Sequence, residues 1–285
     1  MSSIAVLKVE RVGPGVSLQD RGRPGWMHRG VPPGGPWDPE GFAQTLASLG
    51  APPEAVLLEI PLHGAVLSAL HPIVVSLDGA RVPLEAGARL EVAPAPWPVR
   101  YLGVSGGFDA PVVLGGRGLL PVAGLGGALG RFLRAGDTLF ARAPSPPLMA
   151  PPRPLEGPPR PPEAVTRLEV VAGPDVFPAA AWDTLLGASL TVSPLLDRTG
   201  TRLLGPPLPL WPPDPARASA PMVRGALQVT LDGGIIALGP DHPTTGGYPV
   251  MGVLTRAGQS ALARVRPGGT LGFVIAPGCV GPRGG

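Results

Sequence analysis

Apolar positions in this chain come in short runs broken by glycine, proline and aspartate, the pattern of many strands joined by many turns. Strand-like runs cover Ile4–Val9, Val66–Leu70, Ile73–Leu77, Val99–Val104, Leu168–Ala172, Leu190–Val192, Ala226–Leu231 and Ile235–Leu238. Asp232-Gly-Gly234 between two such runs is a hairpin signal, and Asp78-Gly79 before Val82 is another. One segment changes period. Asp38 caps, Pro39 takes the first helical position, Glu40 suits the positive end, and Phe42, Leu46 and Leu49 follow at helical spacing until Gly50. Pro178–Leu186, with Trp182 and Leu185 on one side, is a weaker second helix. The pattern predicts a mostly β chain with one or two short helices.

Residues 144–162 are dense in proline, which fixes φ and removes a backbone donor, so neither helix nor central strand is expected there. They read as a stiff connector between an N-terminal β half, 1–143, and a C-terminal β half, 163–285. A second proline-rich stretch, Gly205–Pro215, reads as a surface loop.

Composition sharpens this picture. With 43 glycines and 42 prolines in 285 residues, low complexity is the first thought, but the recurring apolar runs argue for a folded, turn-rich chain. Asparagine is absent and Lys8 is the only lysine, a bias expected of heat adaptation or of a GC-rich genome. The net charge of +3 comes from scattered arginines without a clustered patch or aromatic platforms, which argues against nucleic acid as a partner. Cys279 is the single cysteine, so no internal disulfide is expected. Met1–Lys8 has neither a charged leader region nor a long apolar run, and no stretch approaches the roughly 20 apolar residues of a membrane span. The expectation is a cytoplasmic protein without a membrane partner.

Three loops combine charged or hydroxyl side chains with glycine, the composition of segments that bring backbone close to a ligand. In Gln19-Asp-Arg-Gly-Arg-Pro-Gly25, Arg21 and Arg23 present two guanidinium forks for a carboxylate, carbamate or phosphate; the plainer reading is a turn in which Asp20 pairs with one of them. In Asp197-Arg-Thr-Gly-Thr-Arg-Leu-Leu-Gly205, Arg198 and Arg202 flank a glycine and suit an anion clasped across a loop, against an internal Asp197–Arg202 pair. In Asp241-His-Pro-Thr-Thr-Gly-Gly-Tyr-Pro249, Thr244, Thr245 and the Gly246 and Gly247 amides read as a donor-rich nest for an oxyanion, with Asp241 as base or ligand and Tyr248 as donor. Gly103-Val-Ser-Gly-Gly107 matches a nucleophile-elbow pattern but lacks the helix that motif needs, so Ser105 is rejected as a nucleophile. Gly124-Leu-Gly-Gly-Ala-Leu-Gly130 has the wrong spacing for a dinucleotide fingerprint. His28, His63, His71 and His242 show no metal-ligand spacing, and only His242, beside the third loop, draws interest.

In this order the three loops resemble the signature blocks of one bacterial family, that of the C-type subunit of 5-oxoprolinase, also described as allophanate hydrolase subunit two or as the C/D part of a biotin-dependent carboxyltransferase. The resemblance runs from about Val9 to Phe273 and includes Gly30-Val-Pro32, Gly34-Gly-Pro-Trp-Asp38, Leu58-Glu59, Tyr101–Gly107 and Gln228. The chain departs from the pattern at Leu46 and Ala51 in place of asparagines and at Gly116 and Gly118 in the Gly-Ser-x-Ser-Thr loop. Further departures are a lost acidic residue around Ser219–Val223, Pro243 in place of glutamine, and Gly258, Arg264 and Gly269 near the C-terminus. The resemblance implies a cyclophilin-like β-barrel architecture whose two halves face a shared cleft. It implies ATP- and magnesium-dependent cleavage of 5-oxoproline to glutamate, together with an A-type subunit and a B-type, kinase-inhibitor-like subunit. On that reading Asp241, Thr244, Thr245 and Tyr248 are the catalytic candidates; Arg21, Arg23, Arg198, Arg202, Gly246 and Gly247 hold substrate or phosphate; and Gln19, Asp20, Asp38, Glu59, Gln228 and His242 support them. Two other roles follow from the same resemblance, carboxyl transfer in a urea carboxylase-like system and antagonism of a histidine-kinase inhibitor. Lys8 sits in a β-like run rather than an Ala-Met-Lys-Met type motif, so covalent biotin on this chain is not expected.

Overall fold

The computed structural model describes residues 3–94, 97–142, 166–210 and 217–279. The connector expected over 144–162 lies outside the described residues, as does the end of the stretch 205–215. The chain divides into two compact units, Met1–Gly25 with Pro33–Arg160, and Trp26–Pro32 with Pro161–Gly285.

In the first unit the strands are β1 (Ser3–Val12), β2 (Ser17–Gln19), β3 (Leu57–Pro61), β4 (Ala65–Ala69), β5 (Ile73–Leu77), β6 (Ala80–Leu84), β7 (Arg89–Val92), β8 (Val99–Val104) and β9 (Thr138–Arg142). They form two sheets, ordered β7-β4-β1-β9 and β2-β3-β8-β5-β6. The strand period of two divides the second sheet cleanly. Leu18, Leu58, Leu102 and Leu77 stand opposite one another across β2, β3, β8 and β5. The first three are buried in one core with Leu7, Val9, Leu67 and Leu139 of the other sheet. The alternate positions Ser17, Glu59 and Tyr101 form the neighbouring row. Helix α1 (Pro39–Leu49) covers that face, packing Phe42, Leu46 and Leu49 against Leu57 and Tyr101.

The ends of α1 follow from its sequence. Asp38 Oδ1 accepts from the amides of Glu40 and Gly41 at 3.0 and 3.1 Å, and Gly50 closes the helix in the left-handed region at φ 58°. Between β5 and β6, Asp78 at φ 50° and Gly79 at φ 91° give the two positive-φ positions of a two-residue hairpin.

The second unit contains β10 (Thr166–Ala172), α2 (Ala179–Gly187), β11 (Leu190–Leu196), β12 (Gly200–Leu204), β13 (Ala220–Pro221), β14 (Ala226–Val229), β15 (Ile235–Leu238), β16 (Thr245–Gly246), β17 (Val250–Leu254), α3 (Arg256–Ala263) and β18 (Thr270–Ile275). Seven of these strands close into a barrel in the order β10-β17-β14-β15-β12-β11-β18. The closing pair, β10 with β18, is parallel. Leu168, Val170, Leu203, Leu227, Val229, Ile235, Met251 and Phe273 belong to one buried core with Trp182 and Leu185 of α2.

A third helix exceeds the one or two expected. Helix α3 has few apolar residues to announce it, but Thr255 caps it by accepting from the Gly258 amide at 3.0 Å. A Cβ at position 258 would lie 2.5 Å from the Glu169 carbonyl oxygen, so glycine there lets the helix sit close to β10. The strand runs anticipated from sequence are present. The larger surprise is β12, because it lies inside Asp197–Gly205, a segment read as a ligand loop. Among the described residues no helix is long and apolar enough to cross a membrane.

Candidate functional site

In the second unit, register places the polar candidates. Arg202 on β12 stands opposite Ile236 on β15, Ile236 opposite Gln228 on β14, and Gln228 opposite Val250 on β17. Cross-strand partners project to the same side, and Leu203, Leu227, Val229 and Ile235 take the alternate positions toward the core. Arg202, Ile236, Gln228 and Val250 therefore form a row on the barrel's outer face. On that face Met222, Ala226, Leu238 and Val250 make a small apolar cluster of their own. The ribbon of β13 and β16 is part of the same region, with Ala220 opposite Gly246 and Met222 N–H donating to the Thr244 carbonyl at 3.0 Å. The Gln228 amide reaches Met222 Sδ at 3.2 Å, and a Cβ at Gly246 would lie 2.6 Å from Gln228 Nε2. Glycine at 246 thus allows the ribbon to approach β14.

The ends of the signature segment are held by ion pairs. Arg198, just before β12, meets Asp241, just after β15, through two parallel bonds, Nε to Oδ2 at 2.7 Å and Nη2 to Oδ1 at 2.9 Å. The Asp241 amide also donates to the Arg198 carbonyl at 2.9 Å. Both side chains are buried, at 8% and 5% exposure. This arrangement corrects two expectations. Arg198 does not pair with Arg202 to clasp an anion across a loop, because its fork is occupied by Asp241 and Arg202 stands on a strand. Asp241, with both oxygens bound to a guanidinium, is a cross-link and not an available base. Asp197 does not pair with Arg202 either; its Oδ1 accepts from the Thr199 and Gly200 amides at 2.7 and 3.1 Å in a local turn.

Beside Asp241, the His242 ring is 1% exposed. Its Nδ1 lies 2.8 Å from the Pro243 carbonyl, which fixes the proton there, and the buried Nε2 has no partner among the described residues. Burial holds the imidazole below its usual pKa, with the Arg224 charge adding to that and the Pro243 carbonyl and Asp241 opposing it.

From Thr244 onward the segment is open. Thr244 and Gly246 are half-buried; Thr245, Gly247 and Tyr248 are exposed. None of the four residues from Thr244 to Gly247 has a positive φ, and Thr245–Gly246 form strand β16. The anion nest expected there, which needs alternating backbone hand, is therefore replaced by an extended ribbon. Two residues missed in the sequence hold its far end. Asp175 and Arg217 form a bidentate pair at 2.9 and 2.8 Å, Arg217 Nε donates to the Gly247 carbonyl at 3.0 Å, and Asp175 Oδ2 accepts from the Val250 amide at 2.7 Å. Asp175 reads in sequence as part of a Gly-Pro-Asp turn, and Arg217 follows a run of prolines, so neither carries a local signal.

In the first unit, Gln19–Gly25 is woven into its neighbours. Asp20 uses Oδ1 for the Gly22 amide at 2.8 Å and Oδ2 for the Arg117 amide at 2.6 Å; both contacts are to backbone, so the expected pairing with an arginine is not what engages it. Arg23 is 1% exposed and donates to the carbonyls of Gly118 and Val113. It is a scaffold group and not a fork for a ligand. Gln19 donates to Ser17 Oγ and the Leu119 carbonyl, each at 3.0 Å. Arg21 alone of this loop's charged side chains is exposed. Glycines 116 and 118, the positions where the resemblance calls for serine, press against this loop: a Cβ would lie 2.9 Å from the Gly22 carbonyl and 2.7 Å from Gln19 Oε1, respectively. Beneath α1, Tyr101 donates to Glu59 Oε2 at 2.8 Å and accepts from the Asp38 amide at 2.9 Å, while Glu59 Oε2 also accepts from the Trp37 amide at 2.7 Å. Burial and the neighbouring Glu59 carboxylate push the Tyr101 phenol well up. Asp38 and Glu59 are thus struts that fix the entry to α1.

A turn-rich β chain with a closed barrel and a polar signature on its outer face defines a class before it defines a protein. The family model of the carboxyltransferase domain, subdomain A and B, matches residues 29–275, and the chain belongs to that family. The family's description names subdomains A and B, where the sequence resemblance pointed to a C/D part. The chain is 29% identical to the C-type subunit of 5-oxoprolinase from Escherichia coli, over 94% of this chain and 91% of that protein. It is 26% identical to urea amidolyase of Saccharomyces cerevisiae over 94% of this chain, but spans only 16% of that much longer protein. Among solved structures, Kluyveromyces lactis urea carboxylase superposes with a TM-score of 0.83 at 26% identity, over 96% of this chain and 28% of that one.

Proposed function

We propose that this chain is the C-type subunit of an ATP-dependent 5-oxoprolinase, acting with A- and B-type subunits to open the lactam of 5-oxoproline to glutamate. One observation carries the reading: the match to the Escherichia coli 5-oxoprolinase component spans nearly the full length of both chains, whereas the urea amidolyase match uses a small part of that protein. A lactam resists hydrolysis, and phosphorylation of its oxygen by ATP activates the ring carbon toward water. The C–N bond then breaks with the amine as leaving group, and hydrolysis of the resulting acyl phosphate by a second water releases phosphate and glutamate. Such chemistry needs cations for the phosphate and aimed donors for developing negative charge. In the second unit Arg202 on the outer face of the barrel and the Thr244, Thr245 and Tyr248 donors of the open ribbon are the groups assigned to these tasks. Arg198 and Asp241 hold the ribbon's base, and Arg23 holds its own loop.

The test is glutamate release from 5-oxoproline with ATP and magnesium, using this chain with A- and B-type subunits from the same genome and omitting each in turn. Turnover lost when this chain is left out supports the reading; full turnover without it overturns the reading. The superposition on the urea carboxylase structure favours a second reading, carboxyl transfer from a biotin carrier on another chain. A stable complex that carboxylates urea but releases no glutamate would select it.

A further inference from the structure

The end of the signature segment is fastened by two side chains that the proposed chemistry does not itself use. Arg217 Nε donates to the Gly247 carbonyl at 3.0 Å while its two terminal nitrogens hold Asp175 at 2.9 and 2.8 Å. Asp175 Oδ2 in turn accepts from the Val250 amide at 2.7 Å. The stretch between these anchors has one further tie, the Val229 amide donating to the Pro249 carbonyl at 2.9 Å. A trans peptide is planar, with its carbonyl and N–H pointing in opposite directions. Fixing the Gly247 carbonyl on Arg217 therefore aims the Tyr248 N–H away from Arg217, and with it sets where the exposed Tyr248 ring leaves the backbone. Asp175 sets the other end of the same stretch. Proline at 249 removes one more donor and fixes one φ, leaving little else for the clamp to determine.

We propose that Arg217 and Asp175 are positioning residues that hold the Gly247–Val250 stretch so that the Tyr248 amide and phenol are aimed as hydrogen-bond donors. This deepens the functional reading above and rests on it for the catalytic part. A lysine replaces Arg217 only in part, because a point charge lacks the planar fork that serves Asp175 and Gly247 together. The pair is partly exposed, at 29% and 22%, so its loss costs the fold little while freeing the stretch.

The experiment compares wild type, Arg217→Ala, Arg217→Lys and Asp175→Asn in two arms. In the first, amide hydrogen exchange is followed by mass spectrometry on the isolated full chain. The expected result is exchange about ten-fold faster over residues 245–248 in Arg217→Ala, with the strands of the barrel unchanged. Unchanged exchange in that stretch overturns the clamp. In the second, turnover is measured in the assembled system. A misplacement of about 1 Å costs on the order of 10²-fold in rate, so kcat should fall by that order in Arg217→Ala with Tm and partner binding preserved. Arg217→Lys should recover only part of it, and added guanidinium should restore more to Arg217→Ala than to Arg217→Lys. Turnover equal to wild type overturns the positioning role even if exchange rises. If the wild-type assembly itself is inactive toward 5-oxoproline, the functional reading fails, and the exchange arm still decides the clamp.

Discussion

Two of the three signature segments, Gln19–Gly25 and Asp241–Pro249, are built from the same kinds of residue and held by different forces. Gln19–Gly25 is held by backbone. Its carboxylate caps amides, its buried arginine serves carbonyls, and glycines at 22, 116 and 118 let neighbouring strands of chain touch. Asp241–Pro249 is held by side-chain ion pairs at its two ends, Arg198–Asp241 and Asp175–Arg217, with an exposed ribbon between. Glycine with charge in a sequence thus marks either a tightly laced scaffold or a presented ribbon. What separates them is that Arg23 reaches backbone carbonyls, whereas Arg198 and Arg217 each grip a carboxylate, and those partners lie far away along the chain.

Breaking the buried pair should have the largest effect. Asp241→Ala leaves the Arg198 guanidinium in its buried position without its carboxylate, and losing one member of a buried pair costs about 3–5 kcal/mol. Urea unfolding should show that loss in the midpoint. A change below about 1 kcal/mol would mean the pair is solvated and the contrast between the two loops is wrong.

Two glycines sharpen the same contrast from the other side. Gly22 has φ 86°, and a Cβ there would lie 2.3 Å from the Pro33 carbonyl oxygen. Gly22→Ala should cost about 3 kcal/mol, combining backbone strain with overlap. Gly25 has φ 93° with nothing within 4 Å of a Cβ. Gly25→Ala should carry the strain alone, about 1 kcal/mol. Equal losses would show that crowding does not distinguish the laced loop. Tyr101→Phe probes the strut beneath α1. It removes the hydroxyl between the Asp38 amide and Glu59, with an expected cost of about 1–3 kcal/mol. If unfolding leaves stability unaltered, the entry to α1 is fixed by its cap alone.

What was legible in the sequence was local. The cap at Asp38, the close at Gly50 and the Asp78-Gly79 hairpin each depend on the residue that occupies the position and its immediate neighbours. The barrel strands that alternate clearly were legible for the same reason. β12 was not, because Arg198-Thr-Gly-Thr-Arg202 has the composition of a loop, and its alternation becomes clear only when Thr201 and Leu203 are seen facing inward. Helix α3 was hidden by its few apolar residues. At the candidate site, the family blocks marked polar segments, but not the partners that hold them. Nothing local ties Arg198 to Asp241 or Arg217 to Asp175; those pairs are set by strand register and loop closure. The sequence therefore indicated where the polar residues gather and misassigned which of them are committed to holding the fold.

The smallest effect belongs to His242, and it tests whether the signature segment's base is as dry as the ion pair suggests. Burial lowers the folded-state pKa of this ring below the value near 6.5 of an unfolded histidine. Between those two values the unfolded chain binds more protons than the folded one, so stability falls as pH drops through that window and is full above it. A protonated ring would place a second N–H at Nε2, a buried atom without an acceptor among the described residues. His242→Gln cannot take up that proton. Its stability should therefore decline less steeply than wild type from about pH 7 downward, by up to about 1.4 kcal/mol per pH unit within the window. Below the folded-state pKa the two profiles should run parallel again, since the wild-type ring is then charged in both states. Parallel profiles throughout would mean that water reaches Nε2, and the base of the ribbon would then be as open as its middle.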